Sequence, residues 1–258
     1  MKHNVTLAVG LGLVAAGMLH GPGHAASVVG GTDLLTEPRL AQLEAWLTGD
    51  PTLSYDAPLV FTNIFDKAPG DTGSDFHAAA DGEGPTVSVM EATHEDGGGL
   101  QIVGGFNPVS WTSDDEYTVS PVATEAARTS FIFNLTSGAR RDQRIDDFVG
   151  RYGAYNRNRY GPTFGQGHDL VVTDALETGY AYTFSYCVDP VIGCVGGTSP
   201  AILGLPYSGQ TSVAFGAIEV FTISEGEAVV PLPAALPLYG ATLGVIGGVA
   251  ALRRRVRA

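Results

Sequence analysis

Seven short runs of β-branched and aromatic residues dominate the middle of this chain: 59–65, 86–91, 100–103, 130–135, 169–173, 180–188 and 217–223. Gly, Asp, Asn or Pro separates most of them. Runs this short, bounded by turn formers, suit strands better than helices. The 35 glycines and 15 prolines supply the turns, and 44% hydrophobic residues supply a core. One early helix is expected at residues 37–48, where Leu40, Leu43, Trp46 and Leu47 recur at helical spacing. Thr36 stands where a cap belongs, Pro38 fits the first turn, and Gly49-Asp50-Pro51 ends the segment. No repeat recurs at solenoid or propeller periods. The expected fold is α+β but mostly β: a central two-sheet antiparallel β-sandwich flanked by a few helices, in one domain over 30–223.

Both ends of the chain carry only positive charge. Lys2 lies in the first segment, and Arg253, Arg254, Arg255 and Arg257 lie in the last. Setting these aside leaves nine basic residues against 27 acidic ones, a net of −18. Such a domain repels nucleic acid and anionic headgroups, which excludes nucleic-acid binding.

Residues 1–26 have a basic start, an apolar run too short to span comfortably, and a small-residue exit, the three parts of a signal peptide. Cleavage is expected after Ala25 or Ala26. The other reading is an anchor helix, which Gly21-Pro22-Gly23 disfavours. At the other end, residues 234–252 form an uncharged run about as long as the ~20 residues a bilayer requires. The arginines after it act as a stop-transfer signal and place the main domain outside.

Immediately before that run stands Val230-Pro231-Leu232-Pro233-Ala234, at the end of a linker over 224–233. Motif, apolar span and arginine tail (253–258) occur in that order, which resembles the PEP-CTERM sorting signals of Gram-negative bacteria. The resemblance implies processing by an exosortase and transfer to the cell surface or to exopolysaccharide. The simpler reading of the same residues is a permanent anchor.

A second resemblance covers the domain. Its pieces are Leu34-Leu35-Thr36 with 43–47, then Ser74-Asp75-Phe76-His77 with 84–89, then Gly104-Gly105-Phe106 and Ser110-Trp111. Residues 130–135 follow, then Tyr160-Gly161-Pro162-Thr163-Phe164-Gly165-Gln166-Gly167-His168-Asp169-Leu170, and finally 217–221 with Glu219. This ordered series resembles the TLDc domain family. It implies a β-sandwich with flanking helices and assigns structural roles to Gly104, Gly105, Trp111, Gly161, Pro162, Phe164, Gly165, Gly167, His168, Asp169 and Glu219. The eukaryotic family is linked to oxidative protection and to the vacuolar proton pump, and no catalytic mechanism is established for it. The chain departs from the pattern at Gln166, where glycine is usual, and in an insertion over 187–209.

Three groups invite a chemical reading. His168 and Asp169 are adjacent, but neighbours on a strand face opposite ways, so His168 is expected to bond to nearby backbone and fix the glycine turn. Cys187 and Cys194, with six residues between them that include Pro190 and Gly193, are expected to form a disulfide in an oxidising compartment. Arg140, Arg141, Arg144, Arg151, Arg157 and Arg159 concentrate six of the nine basic residues in one stretch, interleaved with Tyr152, Tyr155 and Tyr160. Guanidinium pairs with carboxylate and rings suit sugar faces, so an acidic exopolysaccharide is one expected partner. The competing expectation is internal pairing with the acidic remainder. The turns around 71–75 and 114–116 lack EF-hand spacing and are expected to be solvated turns. No cofactor or metal is expected.

The expected function is thus an exported, exosortase-sorted surface or matrix protein with a non-enzymatic TLDc-like module. Two alternatives use other residues: a periplasmic oxidative-stress protein working through a redox-active Cys187/Cys194 pair, and a hydrolase of envelope polysaccharide using Asp169 and Glu219.

Overall fold

The computed structural model describes residues 25–94, 99–120, 122–145, 148–189, 194, 201–204 and 210–227. The signal peptide (apart from Ala25 and Ala26), the motif Val230 to Ala234, the apolar run 234–252 and the arginine tail lie outside the described residues. In chain order the elements are β1 (Ser27–Val29), α1 (Glu37–Thr48), β2 (Leu59–Asp66), α2 (Gly73–Ala80), β3 (Thr86–His94) and β4 (Gln101–Asn107). Next come β5 (Glu116–Val119), β6 (Phe131–Asn134), β7 (Ala139–Gln143), β8 (Tyr152–Asn156), β9 (Leu170–Val172), β10 (Thr178–Ala181), β11 (Tyr186–Cys187) and β12 (Thr211–Glu225).

The molecule is mostly β, with two α-helices and two sheets among the described residues. The larger sheet has ten strands. Eight of them run in the order β1-β2-β12-β3-β4-β6-β7-β11. The fifteen-residue β12 also pairs with β10 near its start, and β10 carries β9. The smaller sheet is the antiparallel ribbon β5-β8.

Both faces of the large sheet are apolar. Val87, Val89, Ile102, Phe131 and Phe133 pack on one face with Leu40, Leu43 and Leu47 of α1. Met90, Ala92, Val103, Ile132 and Val220 pack on the other with Phe76 of α2, Trp111, Phe164 and Leu170. Covered on both sides, β3 is buried at seven of its nine positions, with Thr86 and Ser88 buried among its apolar residues.

The ends of α1 differ in part from expectation. Pro38 is in the first turn and Gly49 closes the helix, its N–H donating to the Ala45 carbonyl. Thr36 is the N-cap, but its side chain makes no cap bond. The far end of α1 is held by Arg140 of β7, which meets Asp50 at 2.5 Å and the Trp46 carbonyl at 3.1 Å and lies over the Phe131 ring. Burial works to raise the Asp50 carboxyl, and bonds from Thr52 and Arg140 outweigh it and hold it below its usual range.

Two sequence expectations are corrected. Residues 71–75 are not merely a solvated turn: they start α2. The Asp75 carboxylate accepts from the N–H and the hydroxyl of Thr72, both at 2.8 Å, as in a capping box. The run 180–188 is not one strand either. β10 ends at Ala181 and β11 begins at Tyr186, because the backbone N–H groups of 184–186 turn inward to a buried carboxylate.

Candidate functional site

The ribbon β5-β8 carries the most distinctive surface. Tyr117 faces Tyr155 in the ladder and Val119 faces Tyr152, with a register shift between them. Strict alternation would put Tyr152 and Tyr155 on opposite faces, since they lie three positions apart. The shift lets both reach Tyr117, with ring centroids 4.9 and 4.5 Å away. The series then extends both ways. Phe148 lies 5.8 Å from Tyr152, Tyr160 lies 5.9 Å from Tyr155, and Tyr180 of β10 lies 6.0 Å from His168.

His168 sits among these rings, with Tyr117, Tyr155, Tyr160 and Tyr180 all within 6.3 Å of it. Its backbone has φ of 61°, the left-handed region, so it does not lie on a strand. The loop 161–168 makes that conformation by bonding to its neighbours: Gly161 N–H to Val172, Gly165 N–H to Gly153, and His168 N–H to Gly165. Nδ1 is buried with no partner at full hydrogen-bond geometry, and the Gly165 backbone of the same loop is the polar group that acts on the ring. Burial pushes the imidazole below its usual pKa and so favours the neutral ring.

Asp169 points elsewhere. Its carboxylate is fully buried and accepts from the backbone N–H groups of Phe184, Ser185 and Tyr186 at 2.7, 2.9 and 3.0 Å. Gly165 lies against it with φ of 81°, and a Cβ there would come within 2.0 Å of Oδ2. Tyr186 is buried beside this knot and donates its hydroxyl to the Gly153 carbonyl at 2.5 Å. Cys187 and Cys194 form a disulfide next to it. Glu219 is buried in another part of the molecule, where Thr32 Oγ1, Asp33 N and Leu34 N donate to it. The two carboxylates therefore tie down separate backbone segments and share no cleft.

Most of the other residues singled out in the sequence pack against their neighbours. Trp111 is buried and donates Nε1–H to Thr86 at 2.8 Å. Phe164 bridges β8 and β9 through its backbone and lies beneath Gly105. Gly161 lies against Val172 and Leu176, and Pro162 is buried beside it. Gly167, exposed at φ of 77°, turns the chain ahead of His168.

The arginine-rich stretch divides in two. Arg140 is engaged with α1, Arg141 is half-buried and bonds to the Arg140 carbonyl, and Arg144 bonds to the Phe184 carbonyl. Burial lowers the Arg141 guanidinium from its usual range. Arg151, Arg157 and Arg159 instead border the aromatic face. The Arg151 guanidinium lies 3.6 Å over Phe148, and Arg157 lies 5.2 Å over Tyr160. Arg157 meets Asp115 at 3.7 Å and Arg159 meets Asp174 at 3.1 Å.

Three of the tyrosines are held further from ionisation than a free phenol. Burial and a bond to Asp115 push Tyr155 up to about 12, and burial raises Tyr117 and Tyr180 as well. α2 fixes the loop that carries Arg157, Arg159 and Tyr160. Its buried His77 meets the Arg157 carbonyl at 3.0 Å and Asp81 at 2.7 Å. A Cβ on Gly73 would collide with the Tyr160 backbone at 2.6 Å.

Sequence reasoning noted Tyr152, Tyr155 and Tyr160 but missed Tyr117, Phe148, Tyr180 and the place of His168 among them. The one signal available was tyrosine recurring on several short runs. No protein-family model matches the chain, and no curated protein matches it.

Proposed function

We propose that this is an exported surface or matrix protein whose domain is a non-enzymatic, TLDc-like β-sandwich module that holds surface polysaccharide. Its C-terminal segment anchors the precursor until an exosortase cuts at Val230 to Ala234. The Cys187–Cys194 disulfide supports an oxidising, extracytoplasmic setting. Apolar packing on both faces of the ten-stranded sheet supports a layered sandwich. The observation that carries the binding role is the contiguous aromatic face on β5-β8: half-buried, uncharged rings suit the apolar faces of sugars.

Retention of the full chain on its own cell's extracellular polysaccharide tests the reading. The Tyr117→Ala/Tyr155→Ala pair is expected to release most of the bound protein into the medium. Unchanged retention in a variant that still folds overturns the binding role. In a strain carrying Pro231→Ala and Pro233→Ala, the precursor is expected to accumulate in the membrane fraction.

A further inference from the structure

We infer that the aromatic face takes an extended, uronate-bearing glycan chain rather than a single sugar, with its carboxylates on Arg157 and Arg159. This rests on the polysaccharide-binding reading above and sharpens it. The first argument is shape. Phe148, Tyr152, Tyr117, Tyr155 and Tyr160 form a series in which each ring lies 4.5 to 5.9 Å from the next. The series runs along the ribbon from Phe148 to Tyr160 as a row of half-buried or exposed rings, tilted or edge-on to one another, and we read it as a track. A track binds a polymer through several weak stacking contacts, each too small to hold a monosaccharide.

The second argument is charge. The domain is strongly acidic, so an anionic chain is repelled over most of its surface. Beside the track, Arg157 and Arg159 are 44% and 73% exposed at their side chains. Their protein partners are exposed to different degrees: Asp115, 3.7 Å from Arg157, is 65% exposed, and Asp174, 3.1 Å from Arg159, is 41% exposed. Exposed pairs of this kind contribute little, so a ligand carboxylate displaces them at small cost. A guanidinium donates two parallel N–H bonds to a carboxylate, a pair of acceptors that a neutral sugar does not offer. Arg157 also lies over the Tyr160 ring, so one side chain touches both the stacking track and the place for the charge.

The test is calorimetric titration of the full chain, in mild detergent, with galacturonate oligomers of one, three and six residues and with cello-oligosaccharides of the same lengths. The hexauronate is expected to bind at least about tenfold more tightly than the trimer, and the monomer not measurably. Arg157→Gln/Arg159→Gln is expected to weaken the hexauronate about tenfold and to leave any neutral-chain binding unchanged. Arg157→Lys, which keeps the charge and loses the fork, is expected to fall between. Thermal melts of these exposed-site variants should match the parent, which separates lost binding from lost folding. Equal affinity for acidic and neutral chains, insensitive to the arginine variants, overturns this inference and leaves the polysaccharide reading standing. Absence of binding to either series overturns both.

Discussion

Asp169 shows how much one side chain can hold. Three backbone N–H groups converge on its buried carboxylate, and the segment 182–185 leaves the sheet between β10 and β11. Burial pushes the carboxyl up to about 7 from 3.8, against the pull of those donors. The sign of the pH effect follows. Between about pH 4 and pH 7 the folded state keeps a proton that the unfolded state has lost, so this group's contribution to stability declines as pH rises through that window. Asp169→Asn removes the titration and leaves one N–H facing an amide, costing about 1–3 kcal/mol at pH 5. The stability gap between parent and variant, measured by urea unfolding from pH 4.5 to pH 8, should therefore narrow with pH. A gap that widens would show that the folded protein favours the ionised carboxylate. The importance of Asp169 could be seen in the family-like run of residues, but its partners could not, because they lie fifteen to seventeen positions away.

At the scale of elements, β4 is closely packed on both of its faces. Gly104 and Gly105 point to opposite faces and serve opposite layers. A Cβ on Gly104 would stand 1.9 Å from the Ser88 carbonyl oxygen of the neighbouring strand, whereas one on Gly105 would meet the Phe164 ring at 2.6 Å. A ring can shift and a laddered backbone cannot. Gly105→Ala should therefore cost about 1–3 kcal/mol, in the ordinary range of overpacking. Gly104→Ala should cost more and should broaden or lose the cooperative transition in thermal unfolding. The reverse order would show that Phe164 is the more rigid neighbour. β4 was legible in the sequence as a short apolar run, and it extends to Asn107 because its glycines leave room for close strand and ring contacts. β5, β8 and α2 were not anticipated. They are short, and their half-buried tyrosines, polar residues and small residues give little apolar periodicity.

For the whole molecule, the disulfide and the aromatic face meet in one region. Cys194 Sγ lies 3.5 Å from the carbonyls of Phe184 and Tyr186, the residues whose N–H groups cradle Asp169. Asp169 in turn follows His168, which sits among the tyrosines. Replacing both cysteines by alanine is expected to cost about 2 kcal/mol, the loop-closure value for so short a ring. Guanidinium unfolding of parent and variant, with and without reductant, checks this. The parent should fall to the variant's midpoint only when reduced, and a parent insensitive to reductant would mean that the bridge adds no stability.

The amino-acid sequence by itself determined the strand-rich character, α1 with its proline start and glycine stop, the acidity of the central domain, and the pairing of two cysteines seven positions apart. These are local properties, set by turn chemistry, helical spacing and short-range loop closure. Only the tertiary structure decided where the arginines act. It split them between a brace on α1 and the border of an aromatic track. It also built that track from residues 117, 148–160, 168 and 180, through a register shift in β5-β8 that no alternation pattern encodes. Side chains from four separate segments meet only once the sheet and ribbon have folded, so their shared face appears in space and not along the chain.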